Sequence, residues 1–143
     1  MNKLFASTPS ASAVHVGLLL LRLTLGGLVL THGFPKFTKL LSGDLGFMDP
    51  IGLGAEFSFI LVVIAEFLCA LLVLIGLGTR LAAIPLIINF TVIFFIVHSA
   101  DEFGRKELPL LFLLLSLILL ITGSGRYSVD AALDKSPTSR KAW

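Results

Sequence analysis

LLLLRLTLGG, Leu18 to Gly27, places one arginine in a run otherwise fit for hydrocarbon. What balances Arg22 decides how the chain is arranged. Its surroundings are apolar throughout: of 143 residues, 56% are hydrophobic and only 14% charged, with a mean hydropathy of +0.99. An ordinary soluble domain carries about 25% charged residues. A chain this short has no interior large enough to hide the excess, so its surplus apolar surface needs lipid as solvent. The formal net charge of +2, with no basic cluster interleaved with aromatics, argues against a nucleic-acid partner. A single cysteine, Cys69, rules out an intrachain disulfide and any CxxC redox or zinc site.

Four apolar segments predict an all-α polytopic membrane protein, a bundle of four transmembrane helices. They run over about 13–31, 55–75, 81–98 and 108–122, inside a transmembrane domain spanning 13–123. A short N-terminal segment (1–12) precedes this domain and a polar tail (124–143) follows it. Three segments are close to the ~20 residues that cross a bilayer. The fourth, at ~22 Å, is short for a ~30 Å core. The small-residue stretch STPSASA precedes the first apolar run, whereas a signal-peptide cleavage site should follow one. GLGTR, Gly76 to Arg80, joins segments two and three as an antiparallel hairpin, and Pro85 is expected to bend the third. In the long loop 33–54, Phe34, Phe37, Leu40 and Leu41 form a short interfacial helix with Lys36 and Lys39 on its polar side. Lys3, Arg80, Arg126, Lys135, Arg140 and Lys141 share the side of both termini, against Lys36, Lys39, Arg105 and Lys106 opposite. That bias favours cytoplasmic termini in a bacterial inner membrane.

A charge near the bilayer centre costs at least ~2.5 kcal/mol, so Arg22 needs a partner or a water-filled cavity. Glu66 is the natural one. If segment one ends at Thr31 and segment two begins at Glu56, the two charges lie ~13 and ~15 Å deep. Asn89 of segment three and Ser116 of segment four fall at a similar level, so each helix contributes one polar group to a single layer. Two readings stay open. The layer is a structural ion pair holding four helices in register, or it is the polar wall of a ligand pocket, for a quinone or a proton path. Asn89 and His98 differ by nine residues and face opposite ways on an ideal helix, so sharing a pocket requires the Pro85 distortion or a bend.

At the outer rim, His32, Lys36 and Glu56 gather near segments one and two. His98, Asp101, Glu102 and Glu107 gather near three and four. These groups either pass protons to the layer below or are ordinary interfacial polarity; no HxxxH or ExxH spacing on one helix supports a metal site. His15 reads as interfacial, Cys69 as packing, and Gly17, Gly26 and Gly27 as points of close helix approach.

Three stretches carry a family resemblance: RLTLGGLVLTHGFPKF (22–37), AEFLCALLVLIGLGTRLAA (65–83) and ELPLLFLLLSLILLITGSGRYSVD (107–130). Together they resemble the DoxX family of small four-span membrane proteins. The matching features are the arginine, the His-Gly followed by Lys, the acidic residue with its Gly-x-x-Thr-Arg turn, and the closing Gly-x-Gly-Arg-Tyr-Ser-x-Asp. The resemblance covers Val14 to Asp130, and Ser124 stands where the closing motif often has proline. It implies a membrane-embedded helical bundle associated with redox chemistry, since related DoxD-type proteins are subunits of a thiosulfate:quinone oxidoreductase. No settled catalytic motif comes with it. The positions it carries over are Arg22, His32, Lys36, Glu66, Arg80, His98, Glu107 and Arg126.

The expected function is a membrane subunit of a redox system, with a redox partner subunit or a second copy of the chain, holding a quinone or similar apolar ligand beside Arg22 and Glu66. Arg22 would anchor an oxygen, with Lys36, Asn89 and Glu107 also in the ligand site. Glu66 with His98 or His32 would handle protons as the catalytic groups. The alternative is a non-catalytic membrane scaffold or accessory subunit.

Overall fold

A computed structural model gives the fold over residues 10–134. Lys3, Lys135, Arg140 and Lys141, used above to orient the chain, lie outside the described residues. Within them all regular structure is helical: α1 (Ala11–Leu41), α2 (Ala55–Ile75), α3 (Thr79–Val97), α4 (Phe103–Thr122) and α5 (Val129–Leu133). Helices α1, α2 and α3 are long and apolar enough to cross a membrane. The first turns of α4 carry Arg105, Lys106 and Glu107, and α4 is not one of the three.

Helix α1 starts where the Ser10 side chain accepts a hydrogen bond from the Ala13 N–H, at 3.3 Å. It does not stop at Thr31. Pro35 lies inside it and deletes a single backbone hydrogen bond, because proline lacks an N–H. The expected interfacial helix is therefore the last part of a 31-residue helix, ~46 Å long. It ends at Ser42, whose N–H reaches the Thr38 carbonyl at 3.1 Å. In the loop that follows, Asp49 accepts from the Leu53 and Gly54 N–H groups (2.9 and 2.8 Å) and from the Ser58 hydroxyl (3.1 Å). The Gly54 N–H is the main reason its carboxyl sits below the usual range. Asp49 thereby sets the start of α2.

Two helices are wider than α in part. Ile64–Cys69 of α2 and Ile93–Val97 of α3 are π turns, each with room for an extra residue. Helix α2 closes on Gly76 at φ 75°, with Leu77 N–H to Leu72 C=O (2.9 Å) and Gly76 N–H to Val73 C=O (3.1 Å).

Helices α1 and α2 run antiparallel and touch closely at two glycines. A Cβ on Gly33 would collide with the Glu66 backbone, and one on Gly26 would come within 2.9 Å of the Ala70 carbonyl oxygen and Leu74 Cβ. Gly17 and Gly27, expected at such contacts, face open space. The core behind these contacts holds Leu25, Val29, Ala70, Val73, Leu86, Phe90, Phe112 and Leu119.

After α4 the chain turns back under the α2–α3 hairpin. The Asp130 N–H donates to the Gly76 carbonyl at 2.9 Å. Its carboxylate accepts from the Gly78 and Thr79 N–H groups at 2.7 and 3.2 Å, capping α3. The Arg126 N–H reaches His15 Nδ1 at 3.3 Å, so His15, buried, is an anchor for this segment rather than interfacial decoration.

Candidate functional site

Arg22 and Glu66 do not meet. The α1–α2 register brings Gly33 against Glu66, which leaves Arg22 eleven residues, ~16 Å, further along the helix. The expected depth rested on α1 ending at Thr31; the ten additional residues displace it by that amount. Arg22 is fully buried (0% exposed) beneath the hairpin turn, where its Nη2 donates to the Tyr127 carbonyl. A Cβ on Gly76 would run into its guanidinium. Asp130 is the carboxylate whose charge acts on it. Among the described residues, Arg22 Nε and Nη1 have no hydrogen-bond partner.

The cation that meets Glu66 is Lys36, from the part of α1 beyond Pro35. Its Nζ pairs with Glu66 Oε2. Asn89 Nδ2 donates to the other oxygen, Oε1, at 3.0 Å. Glu66 is 1% exposed, so both carboxylate oxygens are held by protein donors in a desolvated position. Of the four groups expected in one layer, only Glu66 and Asn89 are joined. Ser116 is buried but turned back on its own helix, its Oγ donating to the Phe112 carbonyl at 2.7 Å.

Lys36 and Glu66 stand in the wall of a cavity of about 230 Å³. His32, His98, Arg105 and the rings of Phe90 and Phe112 complete most of it. Phe90 and Phe112 lie 5.1 Å apart between centroids, and His32 meets Phe112 edge-on at 6.1 Å. His98 follows the π turn of α3. One extra residue in a turn rotates everything after it by about 100°, which brings His98 to the side that Asn89 serves. Pro85 precedes both residues and leaves their relative phase unchanged, whereas the π turn lies between them; His98 lines the cavity and Asn89 reaches it only through Glu66. His98 Nδ1 pairs with Asp101 Oδ2 at 2.6 Å, and this contact chiefly holds the Asp101 carboxyl below its ordinary range.

The structure thus gathers Lys36, Glu66, His32 and His98 at one cavity, with Asn89 bonded behind Glu66. It leaves Arg22 at the other end, and Glu107 is exposed and outside the lining. Arg80 and Arg126 lie near the hairpin turn and the tail, the former with Nη2 on the Ile121 carbonyl at 3.2 Å. Sequence reasoning missed Arg105 as a lining residue and both π turns. A signal for the latter existed in the nine-residue spacing of Asn89 and His98, which fits no regular helix face. Chemically, the lining offers one neutralised ion pair, two imidazoles and two aromatic rings, with the exposed Arg105 at its edge paired to Asp101 at 4.0 Å. That suits a planar ligand with polar edges.

Long apolar helices, a kinked antiparallel hairpin and polar groups buried between helices define a small polytopic α-helical membrane protein. The chain belongs to the DoxX family, whose model matches residues 17–99. It is 31% identical over 137 residues to the "Uncharacterized membrane protein Rv3486" of Mycobacterium tuberculosis (strain ATCC 25618 / H37Rv), covering 83% of this chain and 82% of that one. It is 34% identical over 125 residues to the "Inner membrane protein YqjF" of Escherichia coli (strain K12), covering 84% and 94%. No solved structure matches.

Proposed function

We propose that this protein is the membrane subunit of a redox system and that its cavity holds the carbonyl-bearing ring of a quinone-class lipid. The observation that carries this reading is the Lys36–Glu66 pair in the wall of an aromatic-lined cavity of about 230 Å³. A quinone ring has apolar faces and acceptor oxygens at opposite edges. The cavity lining supplies donors from α1 (His32, Lys36), from the end of α3 (His98) and from α4 (Arg105), together with the rings of Phe90 and Phe112. Electrons then come from a partner subunit bearing a redox group, because a lone buried cysteine gives this chain, and any second copy of it, no dithiol.

Helix α4 is the fourth span in this reading. Its 20 residues measure ~30 Å, the thickness of a hydrocarbon core, with the charged first turns at the interface. Residues 13–123 then form a single four-helix transmembrane domain with both termini on the hairpin-turn side. The excess of lysines and arginines on that side, six against four, favours the cytoplasm for it. The printed name of the Escherichia coli relative supports an inner-membrane setting.

Titration of the purified protein in nanodiscs with ubiquinone-1 tests the reading. Saturable binding is expected. Lys36→Met weakens it by roughly 10- to 100-fold, the worth of one hydrogen bond to a charged group. Arg22→Met leaves the affinity of the folded fraction within about twofold, the ordinary effect of a change remote from the ligand. If Lys36→Met and His98→Phe both bind as the parent does, the ring is not in this cavity. A non-catalytic scaffold is then the reading left standing.

A further inference from the structure

Resting on that ring site, the geometry points to a more specific ligand class: a ring carrying an acidic hydroxyl, bound as its anion against Lys36 while Glu66 takes up a proton. The argument is one of charge conservation. Glu66 lies at 1% exposure with Oε2 on Lys36 and Oε1 on the neutral donor Asn89. Lys36 and Glu66 cancel, and the exposed Arg105 at the edge of the lining is itself paired with Asp101 at 4.0 Å. Bringing an anion in beside an intact pair would put a second negative charge next to the buried carboxylate, which is costly in a site of low dielectric. If a proton enters on Glu66 Oε2 as the anion enters, nothing net is added. The Lys36 ammonium exchanges one oxyanion partner for another, and Glu66 becomes a neutral acid that still accepts from Asn89 through Oε1.

The exchange is written without redox: Glu66 carboxylate, a proton and the ring oxyanion go to protonated Glu66 and a Lys36–oxyanion pair. No bond other than O–H forms. Its balance depends on acidity. An ordinary phenol ionises near pH 10 and a carboxylic acid near 4, so a plain phenol surrenders its proton poorly here. A hydroxyl conjugated to a ring carbonyl spreads its charge over two oxygens and is a far stronger acid than a plain phenol, so such a ligand arrives as its anion. Hydroxylated quinones have that arrangement.

Other ionisable groups facing Glu66 are His32 on α1, His98 at the end of α3 with Asp101 behind it, and Arg105 on α4. Either histidine is the rival proton acceptor, so the experiment separates them. The purified protein in nanodiscs is titrated with 2-hydroxy-1,4-naphthoquinone and with its 2-methoxy analogue, which cannot ionise. Proton exchange is read from binding enthalpies in two buffers of different ionisation heat. The parent protein should take up close to one proton per hydroxy ligand at pH 8 and none with the methoxy ligand. Glu66→Gln, which keeps an oxygen for Asn89, should bind the hydroxy ligand about 10-fold more tightly with no uptake, since Lys36 then lacks an internal partner. Lys36→Met should lose at least 10-fold for the hydroxy ligand and less for the methoxy one.

Hydroxy-ligand binding to the parent without proton uptake overturns the inference and leaves the ring site in place, as does uptake that persists in Glu66→Gln. Should neither ligand bind the parent, the ring site fails and this inference with it. If Glu66→Gln does not fold, His32→Gln and His98→Gln decide the acceptor: uptake that persists in both supports Glu66, and uptake lost in either overturns the inference.

Discussion

Arg22 and Lys36 are two cations on one helix, fourteen residues or ~21 Å apart, and they do different work. Arg22 holds a backbone carbonyl of the returning tail, whereas Lys36 neutralises the buried carboxylate. Removing Lys36 strands Glu66 in a desolvated position, so Lys36→Met should cost about 3 kcal/mol, and the double variant Lys36→Met with Glu66→Gln should recover most of it. The corresponding cycle between Arg22 and Glu66 should be additive within about 0.5 kcal/mol, because the groups are far apart and share no partner. Reversible unfolding in mixed micelles measures both cycles; strong Arg22–Glu66 coupling would contradict the register described. Arg22 was legible in the sequence as a group needing a partner, because an isolated charge in hydrocarbon must be accounted for. Its actual partner was not, since a main-chain carbonyl from a segment 105 residues away leaves no mark on composition or spacing. Lys36 was legible as a candidate ligand-site residue at the rim, but not as the partner of Glu66, because that pairing depends on α1 continuing past Pro35.

At the scale of elements, one misplaced helix end moved the whole polar layer. Pro35 and the preceding His-Gly suggest a stop, yet proline inside a helix removes only one hydrogen bond, and α1 continues for six residues beyond it. Close packing against α2 explains the persistence: Gly26 and Gly33, seven residues apart, fall on one face and let the two backbones approach. Gly33→Ala should therefore cost about 1–3 kcal/mol by forcing α1 off the Glu66 turn. Gly27→Ala, facing open space, should be neutral or stabilising by up to about 1 kcal/mol, as alanine favours the helix. Thermal unfolding of the two variants side by side makes the comparison, and equal losses would remove the close contact from the account. No residue type marks a π turn, and the one trace of them in the sequence was the nine-residue spacing of Asn89 and His98; they arise where helix–helix packing makes room for an extra residue.

For the whole molecule, the consequential feature is the strap formed by residues 123–130. It ties the end of α4 to α1 through His15 and Arg22, and to the α2–α3 turn through Asp130. Truncation after Thr122 deprives Arg22 of the Tyr127 carbonyl and α3 of its cap, the latter alone worth ~1 kcal/mol. A lower melting temperature is expected, with faster amide exchange at Gly78 and Thr79. Unaltered exchange there would mean the strap does not hold the turn. The GSGRYSVD stretch was recognisable as a motif, but its role was not, because docking to two other helices is a relation between distant segments.

By itself the sequence determined the solvent, the helical class and the residues with unusual needs. Each follows from local composition: long apolar runs require lipid, and rare charges within them require partners. Only the tertiary structure decided which partner each charge has, because pairing depends on the register between helices. That register is set by glycine contacts and by where α1 ends. One helix end shifted by ten residues converts an expected Arg22–Glu66 pair into Lys36–Glu66–Asn89 at the cavity and Arg22–Tyr127 at the opposite end.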